Sequence, residues 1–256
     1  MNLDAMQFFT ALQAQLLAPQ YIGWMLQGWL MTVWMSALVV ATSMVLGLFL
    51  AAARSSGNGW VTGFAAAYVS AFRNTPLLVQ LFFWYFGAPS LLPEAAREWL
   101  NSSHVLLQWG GVVLLRWPSF EFLVAWVGLV LYSTAYVGEE IRSGIRGVAP
   151  HQSSTAHALG FTRAQVLRYI VFPQALRIAR PPLVGQTMNT IKNTSLAMAV
   201  GLVELSYTSR QVEAETFKTF QAFGFATLFY IATIFVVDHL GQRLERRPPA
   251  WQGARR

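Results

Sequence analysis

The 256-residue sequence contains no cysteine, and only 11% of its residues are charged. Without cysteine, disulfides, thiolate catalysis and cysteine-ligated metal sites are excluded. Soluble domains carry about 25% charged residues. Because 55% of the residues are hydrophobic, we expect an integral membrane protein. The net charge of +7 could suggest a nucleic-acid partner, but the positions of the basic residues indicate a membrane orientation instead.

Motifs for nucleotide hydrolysis and metal catalysis are also missing. No G-x-x-x-x-G-K-[ST] sequence is present, so the chain is not expected to cradle ATP in that loop. There is no H-E-x-x-H helix, and the four histidines are scattered along the chain. We therefore expect no metal, no cofactor and no enzyme activity in this chain. Any ATP-driven step would need a separate subunit that binds the ATP.

Five apolar stretches are long enough to cross a bilayer core of about 30 Å. They are predicted at about 24–53, 61–88, 119–138, 183–205 and 220–240. The expected fold is all-α: a polytopic membrane helix bundle with about five transmembrane helices, forming one domain over 24–247. Residues 1–23 would form an outer segment with a short amphipathic helix, and 248–256 a cytoplasmic tail. The apolar stretch 105–115 is too short to span, so we expect it to be interfacial or re-entrant.

The basic residues predict the orientation of the bundle. Five spans place the two termini on opposite sides, and the cytoplasmic side carries the excess of Lys and Arg. The richer side holds Arg54, Arg142, Arg146, Arg163, Arg168, Arg177, Arg180 and the arginines of the tail, whereas the other side holds Arg97, Arg116, Arg210 and Lys218. This distribution predicts an external N-terminus, a cytoplasmic C-terminus and a cytoplasmic polar segment at 149–182.

The segment 149–182 is polar and basic although it lies between apolar stretches. Pro150 suits the first turn of a helix, and Gly160 can end that helix with a positive φ. Thr162 is followed by a glutamine at capping-box spacing, which favours a second short helix. Pro173 is expected to end or kink it. The pattern predicts two short helices joined at a glycine, either as an ordinary loop or as a surface gripped by another protein.

Two cationic residues, Arg73 and Lys192, fall within predicted spans. An ionisable residue inside a membrane is a functional-site hypothesis by default. Arg73 could instead snorkel to the interface, and Lys192 could have an internal partner that only fixes packing. The hypothesis is a solute path lined by polar residues of the second and fourth spans: Arg73, Gln80, Asn189, Lys192, Asn193 and Ser195. Cationic groups in such a path would favour an anionic solute.

The polar segment resembles the coupling loop of membrane subunits of ATP-binding cassette (ABC) importers. The likeness rests on Gln152, Ala156, Ala158-Leu159-Gly160 and Phe172-Pro173, whereas Ser154-Thr155-Ala156 stands where the family usually has Glu-Ala-Ala. In that family the loop docks in a cleft of the cytoplasmic ATPase and carries its closing motion into the membrane. The resemblance implies a coupling site of Gln152, Ser154, Thr155, Ala156, His157, Leu159 and Gly160, without the salt bridge of the family's glutamate.

Over roughly 21–247, the sequence resembles the polar amino-acid branch of this family and looks closest to its glutamate/aspartate permeases. The closer likeness is carried by the stretches Y-I-G-W-M-L-Q-G-W-L-M-T, F-F-W-Y-F and M-N-T-I-K-N-T-S. It implies a multi-pass protein of the bacterial inner membrane, with a periplasmic N-terminus and surrounding lipid. The implied partners are an ATPase dimer, a second permease subunit, identical or homologous, and a periplasmic amino-acid-binding protein, with no nucleic acid. The alternatives are a permease for glutamine or a basic amino acid, an ion-coupled secondary transporter, or a membrane enzyme.

Overall fold

The computed structural model describes residues 17–245, apart from the side chains of residues 114, 115, 244 and 245. The predicted N-terminal amphipathic helix lies mostly outside this range, and the predicted tail lies wholly outside it. The described part is mainly helical, with one two-stranded hairpin. Within it, three helices are long and apolar enough to cross a membrane: Pro19–Arg54, Phe120–Arg146 and Thr219–Arg243. The predicted helical membrane fold is confirmed, and the number of spans stays a prediction.

Helix α1, Pro19–Arg54, matches the first predicted span, whereas the second predicted span is a broken helix. Helix α2 (Gly59–Arg73) begins at Asn58, whose side chain accepts hydrogen bonds from two backbone N–H groups of the first turn. The helix breaks before Pro76, because proline has no N–H to donate and disfavours helical geometry in the residue before it. Helix α3 (Leu77–Phe82) then leads into a π-helical turn, Phe83–Gly87, and a 3-10 turn, Ala88–Leu91.

The short apolar stretch before the third span forms a β-hairpin. After helix α4 (Glu94–Asn101), strand β1 (Val105–Trp109) pairs antiparallel with strand β2 (Val112–Arg116). Gly110 and Gly111 connect the strands with φ values of +56° and +80°. A two-residue turn with two positive φ values is the type that matches the twist of a hairpin. The sequence signalled an apolar non-spanning segment but not this strand pairing.

Helix α5, Phe120–Arg146, is longer than predicted. The third span was predicted over about 119–138, but the helix continues beyond it to Arg146. Glu139 and Arg142 form an ion pair at i,i+3 spacing, at 2.7 Å. Such a pair stabilises a helix, so the polar residues continue α5 by two further turns.

The predicted coupling loop contains two helical segments with the expected starting signals. Helix α6, Pro150–Ala158, begins with its proline, and Gly160 follows it at φ +86°. Thr162 and Gln165 form the predicted capping box at the start of helix α7, Arg163–Val166. The expectations for these helix ends are confirmed.

Of the two expectations for Pro173, an end or a kink, the end is not found, because the chain stays helical through this residue. A π-helical turn, Leu167–Val171, joins α7 to helix α8, Phe172–Asn193. In this turn the N–H of Phe172 donates to the carbonyl of Leu167, five residues back. The π-helical turn changes the hydrogen-bond spacing immediately before a residue that has no N–H. The second segment of the loop is therefore continuous with a long helix.

The fourth predicted span, 183–205, does not coincide with one helix. Helix α8 ends at Asn193, and a 3-10 helix, Thr194–Val200, follows it. Gly201 ends that helix at φ +86°. Helix α9 (Leu205–Thr216) occupies most of the stretch between the fourth and fifth predicted spans, and helix α10 (Thr219–Glu245) closes the described chain.

The described chain divides into two compact units, each with its own core. One unit holds the described residues up to Ala37 together with Leu78–Val127 and Ile191–Thr233. Its core includes Met25, Leu205, Val212, Ala222 and Ala226. The other unit holds Leu38–Leu77, Gly128–Thr190 and the described residues from Ile234 onward. It has two buried clusters, one of Ala51, Val137 and Ile141, and one of Val148, Ala156, Val166, Val171 and Ala175.

Candidate coupling loop and solute path

The predicted coupling loop has a small apolar core of its own. Ala156 of α6 is 2% exposed and packs with Val148, Val166, Val171 and Ala175. These residues come from the segment before α6, from α7, from the π-helical turn and from α8. A small side chain at position 156 lets α6 lie close to these elements, so this residue supports the shape of the loop from inside.

Gln152 is also directed inward. Its side-chain carbonyl accepts a hydrogen bond from the side-chain amide of Gln174 on α8. The same amide donates to the backbone carbonyl of Ile170, at 2.9 Å. Gln152 therefore ties α6 to the long helix α8. Of the seven predicted coupling residues, Gln152 and Ala156 hold the loop together.

The other predicted coupling residues are exposed and lie in the second half of α6 and directly after it. Leu159 is 73% exposed, although a leucine normally favours burial. The exposed members of the set are Ser154, Thr155, His157, Leu159 and Gly160. Near them, Phe161, Leu167 and Tyr169 also expose apolar surface, and the loop has no Asp or Glu. The exposed side of the loop is thus an apolar and cationic surface, which the buried contacts of Ala156 and Gln152 hold in place.

The residues predicted to line the solute path are divided between the two units. Arg73 belongs to the unit that holds Leu38–Leu77 and Gly128–Thr190. It is exposed at the end of α2, with its guanidinium 5.0 Å from the centre of the Tyr136 ring. Asn189 of the same unit is exposed on α8. A cation over an aromatic face is attracted by the ring, so Arg73 has a defined position near the break in the second predicted span.

In the other unit, Gln80 is buried on α3 and Lys192 is exposed at the end of α8. Asn193 and Ser195 are partly buried, and the Ser195 hydroxyl donates to the backbone carbonyl of Lys192 at 2.6 Å. Lys192, Asn193 and Ser195 thus form one polar group where the α-helix gives way to the 3-10 helix.

Residues 43–248 match the model of one protein family, described as the inner membrane component of binding-protein-dependent transport systems. This chain belongs to that family. The polar amino-acid ABC permeases to which the sequence shows a resemblance fall within it, so the resemblance is confirmed. The chain is therefore an ABC importer permease, a multi-pass inner membrane protein. This assignment leaves no support for a secondary transporter or a membrane enzyme.

Individual proteins similar to this chain are also named as permeases or transporters of this kind. The glutamate/aspartate import permease GltJ of Escherichia coli (strain K12) is 31% identical over 232 residues, which cover 89% of either chain. The probable glutamine ABC transporter permease GlnM of Bacillus subtilis (strain 168) is 32% identical over 225 residues, 86% of this chain and 93% of that protein. An amino acid ABC transporter crystallised with histidines matches with a TM-score of 0.74 and 26% identity, over 90% and 96% of the two chains.

The permease also has a charged cluster that sequence analysis missed. One oxygen of Glu139 on α5 accepts hydrogen bonds from Arg54 Nε at 3.1 Å and Arg142 Nε at 2.9 Å. The other oxygen accepts from Arg142 Nη2 at 2.7 Å. The i,i+3 spacing of Glu139 and Arg142 could have revealed their pair, but no local pattern reveals Arg54 as a partner. The cluster joins the end of α1 to α5, the helix that leads into the coupling loop.

A close approach between α5 and α8 lies near the same end of α5. A Cβ atom on Gly144 would lie 2.5 Å from the backbone carbonyl oxygen of Ala175. Only glycine fits such a distance without displacing backbone. Because Ala175 belongs to the buried cluster of the coupling loop, this contact connects the loop directly to α5.

A cavity of about 550 Å³ lies beside Ser195, in the unit that also holds Gln80 and Lys192. Its lining combines charged and polar residues with apolar ones: Ser195, Leu196, Met198, Ser206, Arg210, Glu213, Phe223, Ala226, Thr227 and Tyr230. Ligand pockets typically have volumes of about 300–1,000 Å³. Arg210 and Glu213 lie between the fourth and fifth predicted spans, and they were missed because helix α9 was not predicted.

Proposed function

We propose that this permease imports an acidic amino acid, glutamate or aspartate, and that a separate ATPase drives it through the coupling loop. The observation that carries the coupling proposal is the opposite exposure of Ala156 on α6 and of Leu159, the residue that directly follows this helix. Ala156 holds the helix against the rest of the loop, whereas Leu159 stands out from it. A fixed helix with an exposed apolar end can transmit a push from a partner, because the packing of Ala156 and the hydrogen bond from Gln174 to Gln152 connect α6 to α7 and α8.

The chemistry of the loop surface indicates what the partner presents. The exposed apolar side chains, led by Leu159 and Tyr169, need an apolar cleft. The arginines at 163 and 168 are exposed beside them, and the loop carries no acidic residue. A cleft with an acidic rim in a dimeric ATPase would complement this surface. Because the basic residues favour this side as cytoplasmic, the ATPase would bind there, with the N-terminus of the permease in the periplasm.

The substrate proposal rests on the cationic residues of the polar groups. Lys192 adjoins Asn193 and Ser195, and Arg210 lines the cavity beside Ser195. A carboxylate side chain would be stabilised by charge-assisted hydrogen bonds to such groups. The similarity to GltJ supports an acidic solute, and the similarity to GlnM supports glutamine as the alternative. The complete importer would contain two permease subunits, identical or homologous, and a periplasmic amino-acid-binding protein.

A reconstituted importer tests the coupling proposal. The permease, purified with its untagged neighbouring subunits, is placed in liposomes, and ATP hydrolysis is measured with and without loaded binding protein. We expect Leu159→Asp to abolish the stimulation by binding protein, because a charge would have to enter an apolar cleft. Leu91→Asp is the matched control, since Leu91 is 80% exposed but lies outside the loop. Unchanged stimulation in Leu159→Asp would refute the coupling proposal.

The same liposomes test the substrate. Uptake of labelled aspartate, glutamate, glutamine and arginine is compared under ATP and under imposed ion gradients. The proposal expects ATP-dependent uptake of aspartate and glutamate. ATP-dependent uptake of glutamine alone would replace the acidic substrate with the alternative while leaving the coupling proposal intact.

A further inference from the structure

The β-hairpin exposes apolar side chains that nothing in the described chain covers. All five residues of β1 are exposed, so both faces of that strand are open. Trp109, next to the turn, is 78% exposed, and Val112 across from it is 62% exposed. Exposed apolar groups in a contiguous patch mark an interaction site for a protein or a membrane. The open faces of this hairpin therefore require an occupant.

The base of the hairpin is held in place by aromatic side chains. The Trp99 ring of α4 stacks on His104 at 4.7 Å and lies 4.9 Å from Trp117. The backbone N–H of Trp117 donates to the carbonyl of His104, at 2.7 Å, which closes the hairpin below its strands. The hairpin is thus a defined element with a fixed base and an uncovered tip.

The charges around the hairpin follow the same division between base and tip. No charged residue occurs between 105 and 115. Arg116 ends β2, and α4 before the hairpin carries Glu94, Arg97 and Glu98. Helix α5, which is long and apolar enough to span a membrane, begins at Phe120, four residues after the hairpin ends. The charged base therefore lies next in sequence to the mouth of a membrane span.

We propose that the hairpin inserts its tip into the lipid interface of the outer leaflet and anchors this part of the permease there. A protein partner would cover one face of a hairpin, whereas lipid surrounds it on both faces, as the open sides of β1 require. Tryptophan is enriched at the level of the lipid headgroups, and Trp109 lies at the tip. The occupant is thus the bilayer in which the neighbouring span already lies.

The physics of the backbone limits the depth of insertion. A strand of five residues is about 16 Å long at about 3.3 Å per residue, roughly half of a hydrocarbon core of about 30 Å. A two-stranded sheet has two open edges whose N–H and C=O groups lack partners. Such edges do not occur exposed within the hydrocarbon. The hairpin is therefore expected at the boundary between headgroups and acyl chains, not across the core.

The cysteine-free sequence makes depth measurement direct. The complete permease is placed in lipid nanodiscs without the ATPase and without binding protein, and a spin label is attached to the single cysteine of each variant. Collisions with oxygen, which partitions into lipid, are compared with collisions with a water-soluble nickel chelate. Val112→Cys probes the tip. Ser102→Cys probes the base, Ser154→Cys of the coupling loop reports water, and Leu228→Cys of α10, which is 63% exposed, reports lipid.

We expect the ratio of oxygen to nickel collisions at Val112 to approach that at Leu228, and the ratio at Ser102 to approach that at Ser154. Adding Trp109→Asp should shift the Val112 label towards nickel access, since a charge at the tip disfavours insertion. A Val112 label as accessible to nickel as Ser154 would overturn the proposal and leave the tip as a surface for a soluble partner. Suppression of both collisions would also overturn it, because the tip would then be covered by protein.

A cross-strand pair shows whether the hairpin itself is formed in the labelled protein. Gln108 and Val113 are partners in the register of the two strands. Spin labels on Gln108→Cys and Val113→Cys should broaden one another's spectra, and each single variant supplies the unbroadened control. Absence of broadening would overturn the proposal, since the inserted element would not exist as a hairpin.

Discussion

Two alanines of helix α6 show at the scale of single residues that this short helix has a packed side and an exposed side. Ala156 is buried in the apolar core of the loop, whereas Ala158 is exposed. Residues two apart in an α-helix point in nearly opposite directions. Because both residues are alanines in the same short helix, their neighbours in space distinguish them.

This difference predicts unequal effects of one substitution. Ala156→Leu adds three carbon atoms to a packed site, which typically costs about 1–3 kcal/mol. Ala158→Leu changes an exposed position and should alter the free energy of unfolding by less than about 0.5 kcal/mol. Limited proteolysis and the thermal midpoint of the purified permease measure the two effects. Equal midpoints for the two variants would contradict the buried position of Ala156.

Lys192 gives a second prediction at the residue scale. If its ammonium group contacts the solute carboxylate, Lys192→Met removes a charge-assisted hydrogen bond worth about 1.5–3 kcal/mol. The concentration of aspartate needed for half-maximal uptake should then rise roughly ten-fold or more. Arg97→Met, on the exposed helix α4, is the control for loss of a positive charge. Aspartate uptake that persists unchanged in Lys192→Met would remove this residue from the solute path.

At the scale of elements, the ends of α1 and α5 are held together by a shared carboxylate. The carboxylate of Glu139 forms ion pairs with both Arg54 and Arg142, and the three side chains are only 13–18% exposed. Partly buried charges need such partners, because an unpaired charge away from water is costly. The cluster therefore fixes the helix that precedes the coupling loop, and Gly144 brings the same helix against α8.

Neutralising this carboxylate should loosen the joint between the two helices. Glu139→Gln removes two charge-assisted interactions and leaves two arginines facing an amide, which should cost about 1–3 kcal/mol. Glu140→Gln is the matched control, since Glu140 forms no ion pair with any residue in the described range 17–245. Thermal unfolding in detergent should show a lower midpoint for Glu139→Gln alone. A similar fall in both variants would mean that the ion pairs are not what stabilises the joint.

At the scale of the whole molecule, the membrane-spanning helices differ in how much of their surface the chain itself covers. In the most apolar window of α5, 50% of the residues are buried, against 11% in the corresponding window of α10. Helix α5 therefore supplies a core element, whereas α10 presents most of its apolar surface outward. Lipid and a second permease subunit are the two environments that suit such a surface.

The helix signals that depend on a few neighbouring residues were predicted well. Pro150, Gly160 and the capping box at Thr162 each act through their own backbone or through a partner three residues away. Their effect is therefore visible in the sequence. The helix continues past the predicted span end near residue 138 because an ion pair extends it, and the chain stays helical through Pro173 because a π-helical turn leads into the proline.

The sequence by itself determined the membrane environment, the family and the local ends of the coupling helix, because composition and short-range backbone preferences are properties of the chain. Only the tertiary structure decided that Ala156 and Gln152 face inward, that Arg54 shares a carboxylate with Arg142, and that the apolar stretch at 105–115 is a hairpin. These facts depend on which distant residues meet in space. Contacts between residues far apart in the chain leave no periodic signal in either segment, so the folded molecule alone reveals them.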